Sequence, residues 1–146
     1  MQMTIRPINI TDSDYYKVYD LREEILRKPI GLSLKDEDLS GDALDIILVA
    51  EDNNEILGCV MLHPTDESTI YKLRQMAVTP HLQGEGIGKL LVEAAEQALI
   101  DKGVNKIVLH ARETATGFYS KLGYAITSGL FTEVGIPHVV MQKKIA

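Results

Sequence analysis

The chain has 146 residues, 45% hydrophobic and 25% charged, with a formal net charge of −6. That length suits one domain over residues 1–146 with a single substantial core, and an acidic balance with no basic stripe argues against nucleic acid as a partner. No apolar run has the length of a membrane helix, and residues 1–10 lack the basic and apolar blocks of a signal peptide, so no membrane partner is expected. The lone Cys59, among Leu57, Val60 and Leu62, excludes an internal disulfide and a multi-cysteine zinc site. It reads as a packed thiol and fits a cytoplasmic protein.

Residues 3–8 read as a first strand. Thr11, Asp12, Ser13 and Asp14 then offer N-caps and acidic first-turn charges. Tyr15, Val18, Leu21, Ile25 and Leu26 recur at helical spacing until Lys28-Pro29 and Gly31 close the helix. Residues 33–41 are polar, with short helical potential at most. Residues 45–51, 56–63 and 69–78 are apolar runs separated by Asp52-Asn53-Asn54-Glu55 and by Pro64-Thr65-Asp66-Glu67-Ser68, which predicts a three-stranded meander. Thr79-Pro80 ends the third strand, because proline cannot donate to a ladder. Ile87, Leu90, Leu91, Ala94, Ala95, Ala98 and Leu99 mark a helical apolar face that Gly103 terminates. Residues 106–111 form a buried-type strand, which a helical crossover makes parallel to the strand ending at Val78. A short amphipathic helix over 114–122 follows, and residues 125–133 and 138–144 read as a closing hairpin.

Between the third strand and its helix lies Gln83-Gly84-Glu85-Gly86-Ile87-Gly88-Lys89. Bare backbone at a helix start, with unpaired N–H groups and the positive end of the dipole, suits phosphate. The dinucleotide pattern begun at Gly84 would need glycine where Lys89 stands. A P-loop ending in Gly88-Lys89 would need glycine in place of Gln83 and a hydroxyl residue in place of Leu90. Neither fits. The remaining Q-x-x-G-x-G pattern after Val78-Thr79-Pro80 resembles the acyl-CoA loop of the GNAT superfamily of N-acetyltransferases. Ala115-Thr116-Gly117-Phe118-Tyr119-Ser120-Lys121-Leu122-Gly123-Tyr124 is similar to a second signature of that superfamily, in the right order and at a fitting separation. Two further segments, residues 21–31 and Gly135-Ile136-Pro137-His138, resemble a small bacterial GNAT subgroup with poorly assigned acceptors.

The resemblance implies an α/β fold of α+β type. Its sheet is mixed and mostly antiparallel, with about seven strands splayed at a central parallel pair and helices on both faces. It implies acetyl-CoA as cosubstrate, no metal, and transfer of an acetyl group to a primary amine of a small molecule by direct attack in a ternary complex. A protein acetyltransferase and a non-catalytic acyl-CoA-binding module are the alternatives, and homodimerisation stays open. Carried over residue by residue, Gln83, Gly84, Glu85, Gly86, Ile87, Gly88 and Lys89 take the pyrophosphate. Met76, Ala77 and Val78 pair with the pantetheine arm, and Phe118 and Lys121 also serve the cofactor. Tyr119 resembles the general acid, since a phenol of pKa ~10 can protonate the leaving sulfur. Many relatives carry asparagine where this chain has Arg112, so one contact to the cofactor is in doubt.

The base is open among His63, His81, His110, His138 and a water chain. Glu133 and His138 bracket the final turn beside the acceptor and are the side-chain candidates. Arginine suits an anionic group on the acceptor, so Arg22 and Arg74, ahead of Arg27 and Arg112, are expected to contact it, with His138 on the amine side.

Overall fold

A computed structural model describes residues 3–146. Met1 and Gln2, which the domain span and the reading of residues 1–10 include, lie outside the described residues. The chain runs β1 (Thr4–Ile8), α1 (Tyr15–Arg22) continued by a π-helical turn (Glu23–Arg27), then β2 (Ile46–Asp52), β3 (Glu55–Pro64) and β4 (Ile70–Val78). α2 (Ile87–Asp101), β5 (Lys106–Arg112), α3 (Thr116–Lys121), β6 (Ala125–Ile126), β7 (Phe131–Glu133) and β8 (Ile136–Lys144) follow. The sheet order is β1-β2-β3-β4-β5-β8-β6, with β7 also paired to β8.

All pairings are antiparallel except β4 with β5. Among the described residues the sheet has eight strands, one more than the seven or so expected. The segment 125–133 does not run as one strand: Ser128 interrupts it, its hydroxyl accepting from the Val140 amide, so β6 and β7 pair separately with β8. Two residues with positive φ, Val134 (47°) and Gly135 (78°), make the tight β7–β8 turn. Left-handed backbone at a β-branched residue costs on the order of 1–3 kcal/mol, and Val134 stands in the wall of the cleft described below.

The two sheet faces carry separate cores. Val18 of α1, with Leu21, Ile25 and Leu26, packs on Ile47, Val49, Cys59, Met61 and Ala77. Ile87, Leu91, Val92, Ala95 and Leu99 of α2 pack on the opposite face against Leu48, Leu57, Val60, Leu73, Ile107 and Leu109. Each fully buried Val, Leu, Ile or Met side chain among them contributes about 1.5–3 kcal/mol. Leu90, expected on the buried face of α2, is 45% exposed, while Val92 is buried. The buried stripe runs along Leu91, Ala95 and Leu99, and position 90 lies round the helix from that line.

At the start of α1, Asp14 occupies the N-cap position without capping. Its carboxylate instead pairs with Arg6 at 2.6 Å and Lys17 at 3.1 Å. Residues 33–41 hold two 3-10 turns, Leu34–Asp36 and the start of Ser40–Leu44. Among the described residues no helix is long and apolar enough to cross a membrane.

Candidate active site

β4 and β5 pair only from Ile70↔Lys106 to Leu73↔Leu109. Beyond that register the strands part, and a cleft of about 350 Å³ opens between Arg74, Gln75 and Met76 on one side and His110, Ala111 and Arg112 on the other. A bulge helps to open it: Cys59↔Ala77 is followed by Met61↔Arg74, so Gln75 and Met76 face the single residue Val60. Gln75 sits at φ 54°, a left-handed conformation that costs a non-glycine residue about 1–2 kcal/mol. Two buried donors hold it there. Arg22 Nε donates to Gln75 Oε1 at 2.8 Å, and the Cys59 thiol reaches the Gln75 carbonyl oxygen at 3.4 Å. Burial pushes that thiol up to about 12, so it stays a protonated donor.

This placement corrects the sequence expectation for Arg22. It is fully buried, neither on a solvated face nor in the cleft wall, and its Nη1 pairs with Asp42 at 2.8 Å. Tyr15 donates to the same carboxylate at 2.6 Å. Arg22 thus supports the bulge from beneath. Arg74 does line the cleft, but its Nη1 pairs with Asp45 at 2.6 Å and Asp42 at 3.3 Å. Of the acidic residues on the same helical turn, Glu23 accepts from the Ser33 hydroxyl and the Leu34 amide, and Glu24 lies 3.5 Å from Lys28.

The glycine turn is shaped by backbone that only glycine adopts readily. Gly84 (φ 86°) and Gly86 (φ 84°) are left-handed, and a Cβ built on either would meet nothing within 4 Å, so the space above them is open. Gly86 is the N-cap of α2, whose first N–H groups face that space without intrahelical partners. Gln83 stiffens the turn by donating from its side chain to the Val78 carbonyl at 3.0 Å. Ile87 is buried and anchors the helix start, whereas Glu85 and Lys89 are exposed. A Cβ on Gly88 would lie 3.1 Å from the Phe118 ring, so the small residue lets α3 approach.

Phe118 and Tyr119 carry the wall of the cleft on that side. Their rings meet edge to face at 4.9 Å, and Tyr119 meets Tyr124 likewise at 5.8 Å. Tyr119 is only 7% exposed, and burial pushes its phenol up to about 12. Lys121, on the same short helix, is exposed.

The far wall holds an ionisable cluster. His110 Nδ1 lies 2.8 Å from Glu133 Oε1, and His138 Nε2 lies 3.7 Å from Glu133 Oε2. Phe131 wedges between the imidazoles, edge-on to His110 at 5.2 Å and stacked on His138 at 6.0 Å. Burial raises the Glu133 carboxyl, but the His110 hydrogen bond and the nearby His110, Lys72 and His138 outweigh it, leaving it net below the ordinary range. His138 is buried, with Nδ1 2.9 Å from the Ile136 carbonyl, to which it must donate. Phe131 was not singled out from sequence, and His110 stood there only as one of four histidines that could serve as base. His110 reads as a packed strand position, and only pairing of β5 with β8 brings it beside Glu133.

Residues 36–145 match the family described as Acetyltransferase (GNAT) domain, and the chain belongs to that family of acetyltransferases. A Bacillus subtilis protein named "Putative acetyltransferase BSU40680" is 29% identical over 147 residues, covering 97% of each chain. The uncharacterized Bacillus subtilis protein YyaT is 41% identical over 75 residues, 51% of this chain and 51% of its own length. A GNAT family acetyltransferase from Elizabethkingia anophelis, crystallised with acetyl-CoA, shares the fold with a TM-score of 0.72, 24% identity and 97% of each chain covered.

Proposed function

We propose that this protein transfers the acetyl group of acetyl-CoA to the primary amine of a small molecule in a ternary complex, in the cytoplasm. The observation that carries the reading is the cleft itself. A protonated phenol and a carboxylate-oriented imidazole stand in its two walls, and a bare glycine turn lies behind Phe118. A cleft of about 350 Å³ suits a small acceptor more than a polypeptide groove. The Elizabethkingia relative was crystallised with acetyl-CoA, and the open space over Gly84 and Gly86 fits a pyrophosphate at the start of α2.

Bound acetyl-CoA supplies the thioester. The chain's own groups do the rest. Met76, Ala77 and Val78 lie along the edge of the parted sheet, where main-chain donors can hold the carbonyl oxygen and pair with the pantetheine arm. A carboxylate cannot donate, so His110 Nδ1–H donates to Glu133, which leaves Nε2 as the ring atom that can take a proton from the amine. Glu133 is thus a positioning residue for His110, and Tyr119 holds a proton at its phenolic oxygen for the departing sulfur. The reading is tested by incubating the protein with acetyl-CoA and a panel of amines while following CoA thiol and the acetylated amine by mass spectrometry. Failure of every amine to release thiol from a folded, CoA-binding protein would overturn it.

Two variants probe the parts separately. Gly86→Val should abolish measurable acetyl-CoA binding by calorimetry, because a branched side chain both strains φ 84° and fills the approach to the backbone. A folded variant with unchanged affinity would remove the turn from the cofactor site. Glu133→Gln should lower kcat about 10- to 100-fold, the value of a charged hydrogen bond, with acetyl-CoA affinity unchanged. Because the carboxyl sits below its ordinary range, Glu133 adds no acid limb to the rate above about pH 5. An unchanged kcat in a folded Glu133→Gln, with chemistry rate-limiting, would contradict the positioning role.

A further inference from the structure

Two guanidinium groups meet at one backbone oxygen beside the cleft. Arg27 Nη1 lies 3.1 Å, and Arg112 Nη2 2.8 Å, from the carbonyl oxygen of Leu26. Arg27 comes from the π-helical turn that prolongs α1, and Arg112 from the last position of β5. Both line the cleft. Arg27 has a carboxylate partner, Glu37, at 2.6 and 3.3 Å. Arg112 has none within ion-pair distance among the described residues. Of the other cations of the cleft, Arg74 is paired by Asp42 and Asp45, and Lys72 stands at the opposite end, its Nζ 3.5 Å from His110 Nδ1 and within the field of Glu133.

Two positive charges and one negative charge leave an excess of one at this corner. Burial and the charge of Arg27 both work against the Arg112 guanidinium and lower its pKa. A protein gains nothing from holding a buried and a half-buried guanidinium together with one counter-ion, unless a ligand supplies the second. A single carboxylate balances the excess, whereas a phosphate dianion overshoots it. The planar fork of arginine also matches a carboxylate in shape.

We propose that Arg27 and Arg112 form a carboxylate subsite, and that the acceptor is a small primary amine that also carries a carboxylate, as amino acids do. The proposal rests on the acetyl-transfer reading above. His110 and Arg112 lie two residues apart on one face of β5, about 7 Å along the strand. An amine at His110 and a carboxylate at Arg112 therefore belong to one molecule with few bonds between them. The departure at position 112 from the residue common in the family then has a use on the acceptor side, and the expected substrate contacts move from Arg22 and Arg74 to Arg27 and Arg112.

Two measurements test this. Thiol release is compared for amino acids and their carboxamides, with wild type, Arg112→Gln and Arg112→Lys. Wild type should favour the carboxylate form, and Arg112→Gln should raise its KM about 10- to 100-fold with little change in kcat or in acetyl-CoA affinity. Arg112→Lys, which keeps charge and reach but not the fork, should fall between. Saturation-transfer NMR with glutarate, which has no amine, reads the subsite without any acetyl transfer: wild type with CoA bound should give a signal that Arg112→Gln loses. Thiol release with carboxamides or polyamines as good as with amino acids would overturn the subsite while leaving acetyl transfer standing. No glutarate signal in wild type, or equal signals in both proteins, would also overturn it. Weakened acetyl-CoA binding in a folded Arg112→Gln would assign Arg112 to the cofactor. A glutarate signal that depends on Arg112, in a protein that releases no thiol with any amine, would support the subsite and overturn the transfer reading.

Discussion

Tyr119→Phe should lower kcat about 10²–10⁴-fold while leaving acetyl-CoA affinity and thermal stability close to wild type. The substitution removes one hydroxyl and keeps the ring that packs against Phe118 and Tyr124. Tyr124 makes an internal comparison. Its hydroxyl donates to Glu96 Oε2 at 2.9 Å, a structural tie on the α2 side, whereas Tyr119 lines the cleft. Burial holds the Tyr119 phenol protonated up to about 12, so rising alkalinity should not remove the acid below about pH 10. Loss of activity between about pH 8 and 10 that disappears in Tyr119→Phe would contradict that assignment. An unchanged kcat in the variant, with chemistry rate-limiting, would make Tyr119 a packing residue.

Asp42→Ala should destabilise the fold by about 3–5 kcal/mol in denaturant unfolding. Asp42 is 2% exposed and accepts from Tyr15, Arg22 and Arg74, so its removal strands the fully buried Arg22 charge. Pairing this change with Arg22→Met removes the stranded charge and should recover part of the loss, a non-additivity diagnostic of the pair. Burial raises the Asp42 carboxyl, but hydrogen bonds from Tyr15 and Arg22 and the charges of Arg22 and Arg74 prevail, and its pKa in the fold is depressed. Its stabilisation is therefore present above the ordinary carboxylate value and is lost as pH falls through the depressed one. Wild type should lose more stability on acidification than the double variant. A cost for Asp42→Ala below about 0.5 kcal/mol would mean that the network carries no stability.

Because Arg22 also holds Gln75, the same variants should disturb the site. The chain of contacts runs from Asp42 through Arg22 to the left-handed bulge, which shapes the wall facing His110. An Asp42→Ala protein that stays folded at low temperature is expected to bind acetyl-CoA at the glycine turn yet turn over slowly.

Local chemistry made much of this legible in one dimension. Proline after Thr79, three alternate glycines and a helical apolar stripe define the strand, turn and helix, because each is set by backbone allowance and periodicity within a few residues. The helical crossover dictates the parallel β4–β5 pair, and the second motif places Tyr119. Those features are local, so sequence alone determined them. Which charges face the cleft was decided only by the tertiary structure. Arg22 and Arg74 share a residue type and a plausible address with Arg27 and Arg112, but their accessibility depends on the distant carboxylates Asp42, Asp45 and Glu37. His110 meets Glu133 only when β5 lies beside β8 and the hairpin brings Glu133 back toward it. Ion pairing and burial are long-range, many-body properties that no spacing encodes, which is why the glycine turn and Tyr119 stand out in the motifs and the charge pattern of the cleft only in the fold.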